Sequence, residues 1–155
     1  MIMAKYKRRI SDSILKRKML GKGAVLIEGP KWCGKATTAK QLAKSVLDLG
    51  DSSVLKQSAQ LIELSPKTLL EGKTPRLIDE WQALPLIWDS IRSEVDKRGE
   101  PSQFILTGSS VLPEADETIH SGTGRFAYIK MRPMSLYESG ESNGTVSLTD
   151  LFEGK

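Results

Sequence analysis

The residues best suited to chemistry begin with the run Gly29-Pro30-Lys31-Trp32-Cys33-Gly34-Lys35-Ala36-Thr37. Gly29, Gly34 and Lys35 stand at the spacing of G-x-x-x-x-G-K-[ST], a loop whose backbone amides cradle phosphate groups. The two glycines let the chain curl until successive N–H groups face one concavity, which also makes Pro30, Lys31, Trp32 and Cys33 part of the cradle. The start of a following helix adds partial positive charge, and Lys35 adds a full charge beside the β- and γ-phosphates. Position 36 departs from the pattern. A hydroxyl is expected there, as a ligand of the Mg²⁺ that bridges the phosphates, and the residue is Ala36. A methyl group cannot coordinate a hard cation. Thr37 keeps a hydroxyl, but on a helix it projects about 100° away from position 36, which suits contact with an α-phosphate. The expectation is an intact cradle with weakened Mg²⁺ retention and slowed hydrolysis. Cys33 reads either as a small residue that fits the loop or as a thiol activated by Lys35 and the helix start. Trp32 reads either as a stacking partner for a nucleotide or as a cover for the loop.

A second cluster follows an apolar strand, Arg76-Leu77-Ile78, which ends in Asp79-Glu80. Downstream of a phosphate loop, the first carboxylate suits Mg²⁺ and the second suits general-base activation of water. The strand Phe104-Ile105-Leu106 also ends in polar residues, Thr107-Gly108-Ser109-Ser110. If it lies beside the loop-bearing strand, Thr107 faces the γ-phosphate or the attacking water; otherwise this is a strand-ending turn. Arg125, in Gly122-Thr123-Gly124-Arg125-Phe126, reads either as an arginine finger for a neighbouring subunit or as a surface ion-pair residue. His120 has no partners in the sequence and reads as a loop residue.

These groups need elements to hold them. Ile10, Ile14, Leu15 and Met19 recur at helical spacing, with Ser11 or Asp12 as N-cap, and predict a short amphipathic helix outside the sheet. Residues 24–28 form an apolar run that predicts a buried strand, and residues 35 to about 44 the helix after the loop. Residues 45–49 read either as a second short strand or as the end of that helix. Val54, Leu55, Leu61 and Ile62 share a helix face, Ser65-Pro66 opens another helix, and Gly72 stops it. After the strand 76–79, Leu84, Ile87, Trp88, Ile91 and Val95 mark a core-facing helix closed by Gly99 and Pro101. Strands at 103–107 and 126–131 complete the pattern. Strands alternating with helices predict an α/β layered fold with a mainly parallel sheet. Three regions emerge: a basic helical arm over 1–22, a core over 23–137, and a polar tail or the start of a further region over 138–155.

Composition narrows the class. The chain has 155 residues, 39% hydrophobic and 27% charged, enough for one domain with a real core. A single cysteine excludes an internal disulfide framework and a cysteine zinc site. No apolar run is long enough to span a bilayer, and no apolar segment follows the basic N-terminus as in a secretory signal. A cytoplasmic protein with no membrane contact and no transition metal is expected. The net charge of +4 is concentrated at the start, where residues 1–22 hold eight Lys or Arg against one acid. That segment reads either as a solvated helical face or as a contact for the phosphate backbone of a nucleic acid.

Taken together, the motifs resemble those of bacterial and archaeal AAA-like ATPases whose core is followed by a C-terminal domain of unknown function. The resemblance runs over nearly the whole chain. It rests on Tyr6-Lys7-Arg8-Arg9, the loop from Gly29 to Lys35, Thr74-Pro75-Arg76-Leu77-Ile78-Asp79-Glu80-Trp81-Gln82, Phe104-Ile105-Leu106-Thr107-Gly108-Ser109 and Arg132-Pro133-Met134-Ser135-Leu136-Tyr137-Glu138. It implies the P-loop NTPase three-layer sandwich, with AAA/RecA-like strand order 5-1-4-3-2. It implies binding of ATP and ADP, hydrolysis to ADP and phosphate with Mg²⁺, and roles for Lys35, Asp79, Glu80 and Thr107 as given above. Homo-oligomers fit the family. Its members are longer, so the resemblance also implies a C-terminal domain beyond this chain that carries other partners. Their loop has Thr where this chain has Ala36, which puts Mg²⁺-dependent turnover here in question.

Overall fold

The computed structural model describes residues 5–109 and 124–154. Five strands, β1 (Ala24–Glu28), β2 (Ser45–Asp48), β3 (Arg76–Asp79), β4 (Phe104–Gly108) and β5 (Phe126–Lys130), form one sheet in the order β2-β3-β4-β1-β5. Every pairing is parallel, with Leu26 opposite Leu106 on one side and Tyr128 on the other. This is the order that the family resemblance implies, read from the opposite edge. β1, which leads into the glycine loop, lies between β4 and β5, with β3 one strand further along.

The strand sequences show why both faces are covered. Alternate residues of one strand point to opposite faces, and here both sets are apolar. Ala24, Leu26, Ile78, Phe104, Leu106 and Phe126 meet one group of buried side chains; Val25, Ile27, Leu77, Ile105, Ala127 and Ile129 meet the other. The first face carries α3 (Ser52–Leu64), α4 (Pro66–Leu70) and α5 (Ile87–Arg98). Ile87 and Ile91 of α5 are fully buried, each contributing about 2 kcal/mol by removal of apolar area from water. Trp88 stacks on Phe126 with ring centroids 4.4 Å apart and meets Trp81 at 5.0 Å. The second face carries α1 (Ile10–Gly21) and α2 (Lys35–Lys40), through Leu15, Met19 and Ala39. The molecule is thus three layers, helix on sheet on helix.

Local differences from the sequence expectations have physical causes. α1 begins at Ile10 with Arg9 as its N-cap, because the Asp12 carboxylate accepts the Arg9 amide at 2.9 Å. Asp12 therefore occupies the third helical position instead of the cap. α2 ends at Lys40, short of the expected 44, since the chain must turn to bring the Lys44 amide onto the Pro75 carbonyl (2.8 Å) and enter β2. Leu84 precedes α5: a 3-10 turn, Trp81–Ala83, intervenes and α5 starts at Ile87. Pro66 sits at the first position of α4, as Ser65-Pro66 predicts. Beyond β5, α6 (Leu136–Ser139) and α7 (Leu148–Phe152) bury no whole residue, although the Glu138 side chain is only 8% exposed. Among the described residues, no helix is long and apolar enough to cross a membrane.

Candidate functional site

The glycine loop leaves the carboxyl end of β1 and closes at Gly34, the residue before α2. Gly29 has φ +156°, and a β-carbon there would lie 2.3 Å from the Met131 carbonyl oxygen, so only glycine fits against the chain leaving β5. Gly34 has φ +96°, the left-handed region that L side chains rarely adopt, and turns the backbone into α2. Between them Trp32 also has positive φ, +66°, with its side chain fully exposed. A bulky residue held there marks backbone strain of the kind that gathers at functional sites.

Lys35 is only 6% exposed and its ammonium donates to the carbonyls of Gly29 and Pro30, both at 2.8 Å. Among the described residues it forms no ion pair. Across the mouth of the loop stand Asp79, the last residue of β3, and Glu80. Glu80 has φ +53°, a left-handed step that breaks the strand and turns its carboxylate out of the alternation. A cleft of about 340 Å³ is lined by Lys31, Trp32, Gly34, Lys35, Ala36, Thr37, Asp79 and Glu80. The parallel topology thus gathers the loop and the acidic strand end, separated by β4, at the carboxyl end of the strands.

Polar neighbours hold the two carboxylates. The fully buried Thr107 donates its hydroxyl to Asp79, so in this structure that hydroxyl faces the acid and not the cleft. The Gln82 side-chain amide bonds the Glu80 carboxylate and reaches the Ser109 hydroxyl at 3.4 Å, bridging the ends of β3 and β4. Arg125 is not brought to this site. It precedes β5, at the amino end of the sheet, and pairs with Asp96, which raises the Arg125 pKa and lowers that of Asp96. Ser110, His120 and Thr123 lie outside the described residues.

Mg²⁺ prefers carboxylate, hydroxyl and water oxygens. Asp79 supplies one carboxylate facing the loop, and Ala36 supplies no oxygen where a second protein ligand is expected. The donor set therefore fits Mg²⁺ brought in on phosphates and completed by water, through one protein carboxylate. Among the described residues no group of three His, Cys, Asp or Glu side chains gathers around a metal-sized space.

Sequence reasoning missed three polar residues around the loop. Arg9, counted there among the basic arm, is buried and donates to the Cys33 carbonyl at 2.8 Å. Glu138, placed there in the tail, pairs with Arg9 at 3.0 Å. Gln82 bonds the Glu80 carboxylate, a contact that nothing in its sequence context predicts. The readable signal was the Ser135-x-x-Glu138 spacing of a capping box, which the structure contains.

A glycine loop after the first core strand of a parallel sheet, a buried lysine and an acid-ended strand across its mouth define a nucleotide-binding α/β core of the P-loop class. The chain belongs to the AAA-domain family, whose model matches residues 21–140. Two curated relatives, uncharacterized proteins of Mycobacterium bovis and Mycobacterium tuberculosis, are each 26% identical to it over 137 residues. The alignments cover 87% of this chain and 31% of each relative, so the chain spans under a third of their length. Among solved structures, C. elegans PCH-2 is similar at 15% identity and a TM-score of 0.43, over 92% of this chain and 45% of that one.

Proposed function

We propose that this chain binds ATP in the loop 29–35 and that its core is built to hydrolyse ATP to ADP and phosphate, with Ala36 weakening the Mg²⁺-dependent step. The observation that carries the reading is the convergence of Lys35, Asp79 and Glu80 on one cleft. Loop amides receive the β- and γ-phosphates, and the Lys35 ammonium exchanges its two carbonyl acceptors for phosphate oxygens. Thr37, at the cleft wall, contacts the α-phosphate. A second cleft of about 380 Å³ adjoins the first, sharing Trp32, Gly34 and Thr37, and reaches Tyr6, Pro133 and Met134. Its aromatic and apolar walls suit the purine base.

For hydrolysis, the Glu80 carboxylate takes the proton of a water as its oxygen attacks the γ-phosphorus, and the bond to the bridging oxygen breaks to release ADP. Gln82 orients Glu80, and Thr107 orients Asp79. Asp79 would hold Mg²⁺, which would supply charge neutralisation on the phosphates. Arg125 stands at the other end of the strands, so a finger role applies to nucleotide held by a neighbouring copy of the chain. Ala36 specifically favours a second reading, a nucleotide-binding switch with little turnover.

Calorimetric titration with ATP, with and without Mg²⁺, tests the cradle. Both the parent and Ala36→Thr are expected to bind ATP, and Mg²⁺ is expected to tighten only the substituted protein. If neither binds, the reading fails. Glu80→Gln separates enzyme from switch: its expected effect on Ala36→Thr is a turnover loss of about 100-fold, within the range of general-base contributions. Unchanged turnover removes Glu80 as the base.

A further inference from the structure

Against the glycine loop lies a second buried cation, Arg9, which also lines the cleft that reaches Tyr6 and Met134. Arg9 stands immediately before α1, and all three nitrogens of its guanidinium are engaged. Nη1 donates to the Cys33 carbonyl at 2.8 Å, Nη2 to the Arg132 carbonyl at 2.9 Å, and Nε to Glu138 Oε1 at 3.0 Å. A β-carbon added to Gly34 would stand 3.1 Å from Nη1, so the guanidinium lies directly against the turn that delivers Lys35.

The carboxylate partner is equally committed. Glu138 accepts the Ile10 amide at 2.7 Å, the Ser135 amide at 2.8 Å and the Ser135 hydroxyl at 3.0 Å, besides Arg9. Burial pushes its pKa up, but the Ser135 and Ile10 amides, Arg9 and the Ser135 hydroxyl outweigh this and hold it at about 2. One ion pair therefore joins the entry to α1, the glycine loop and the segment leaving β5.

The peptide between Cys33 and Gly34 gives this junction its consequence. In a trans peptide the carbonyl and the following N–H point in opposite directions. Drawing the Cys33 carbonyl back onto Arg9 turns the Gly34 amide away from Arg9 and presents it as a donor on the other side of the loop. A planar fork fixed at three positions sets that orientation in a way a point charge does not.

We propose that the Arg9–Glu138 pair is a positioning clamp that sets the donor geometry of the loop, so that nucleotide affinity is linked to the docking of segment 132–139. The clamp rests on the nucleotide-binding reading and adds its regulation. Coupling between two sites is reciprocal. A change that loosens segment 132–139 weakens phosphate binding, and phosphate binding tightens the segment by the same factor.

The experiment compares the parent with Arg9→Lys, Glu138→Gln and the double variant, each checked for folding by far-ultraviolet circular dichroism. ATP and inorganic pyrophosphate are titrated calorimetrically, and amide hydrogen exchange is followed at 29–36 and 132–141. Each single variant is expected to bind both probes about tenfold more weakly and to exchange faster at 29–36 before any ligand is added. The double variant is expected to be no weaker than the weaker single one, because both residues act through one junction. In the parent, ATP is expected to slow exchange at 132–141, a readout that needs no variant. Folded variants that bind within twofold of the parent overturn the clamp, as does a parent that binds ATP without slowing exchange there. A parent that binds neither ATP nor pyrophosphate overturns the nucleotide-binding reading itself, and the clamp with it.

Discussion

The two ends of the parallel sheet treat charge in opposite ways. At the amino end two arginines near the strands are paired with carboxylates: Arg98 holds Glu94 at 3.1 Å, also reaching Gln103 and the Phe104 ring, and Arg125 holds Asp96, while Arg76 donates to the Leu69 carbonyl and the Ser45 hydroxyl. At the carboxyl end Lys35 is buried on carbonyl oxygens alone, while Asp79 and Glu80 face it across a cleft and are held by neutral hydroxyl and amide donors. One end is organised to be stable by itself. In the cleft at the other end opposite charges stand apart, the arrangement that the proposed nucleotide and its cation would complete.

Breaking the contrast at its centre has the largest expected effect. Lys35→Met replaces a buried cation by an apolar side chain of similar length. ATP affinity is expected to fall at least 100-fold in calorimetry, whereas the thermal midpoint is expected to hold or rise, since an unpaired buried charge costs stability. A midpoint that falls with affinity would show Lys35 to be structural.

Acid sharpens the contrast next, because the clamp against the loop is a buried charge pair at the carboxyl end. The Glu138 pKa is depressed in the folded state from 4.5 to about 2. A depressed carboxyl contributes stability that is complete above its unfolded value and lost as pH falls through the folded value. The window is therefore pH 4.5 down to 2. Denaturant titrations across that window are expected to show a steeper loss in the parent than in Glu138→Gln. Equal slopes would remove the depressed carboxyl.

At the amino end the expected pattern reverses. Arg98→Ala leaves the mostly buried Glu94 without its partner and is expected to cost about 2 kcal/mol in denaturant unfolding, with ATP affinity within twofold of the parent. A large affinity change would mean that the two ends are coupled through α5.

Much of this layout was legible before any coordinates. The runs at 24–27, 77–78 and 104–106 are apolar because parallel strands are covered on both faces, and the loop glycines announce themselves by spacing. What escaped was long range. Arg9 and Glu138 are 129 positions apart, and no period joins them; read locally, each is one more surface charge. The early end of α2 escaped too, because residues 39–43 have helical composition and only the bond from Lys44 to Pro75 stops the helix. Ala36 was legible as a departure from the motif, and the structure places it in the cleft wall beside Thr37.

The three tryptophans divide along the same line as the charges. Trp81 and Trp88 are buried together near Phe126, while Trp32 stands in water at the rim of the cleft. The intrinsic emission of the protein is therefore two signals in one spectrum. A blue component reports whether the core is packed, and a red component, open to quenching by iodide, reports what occupies the loop.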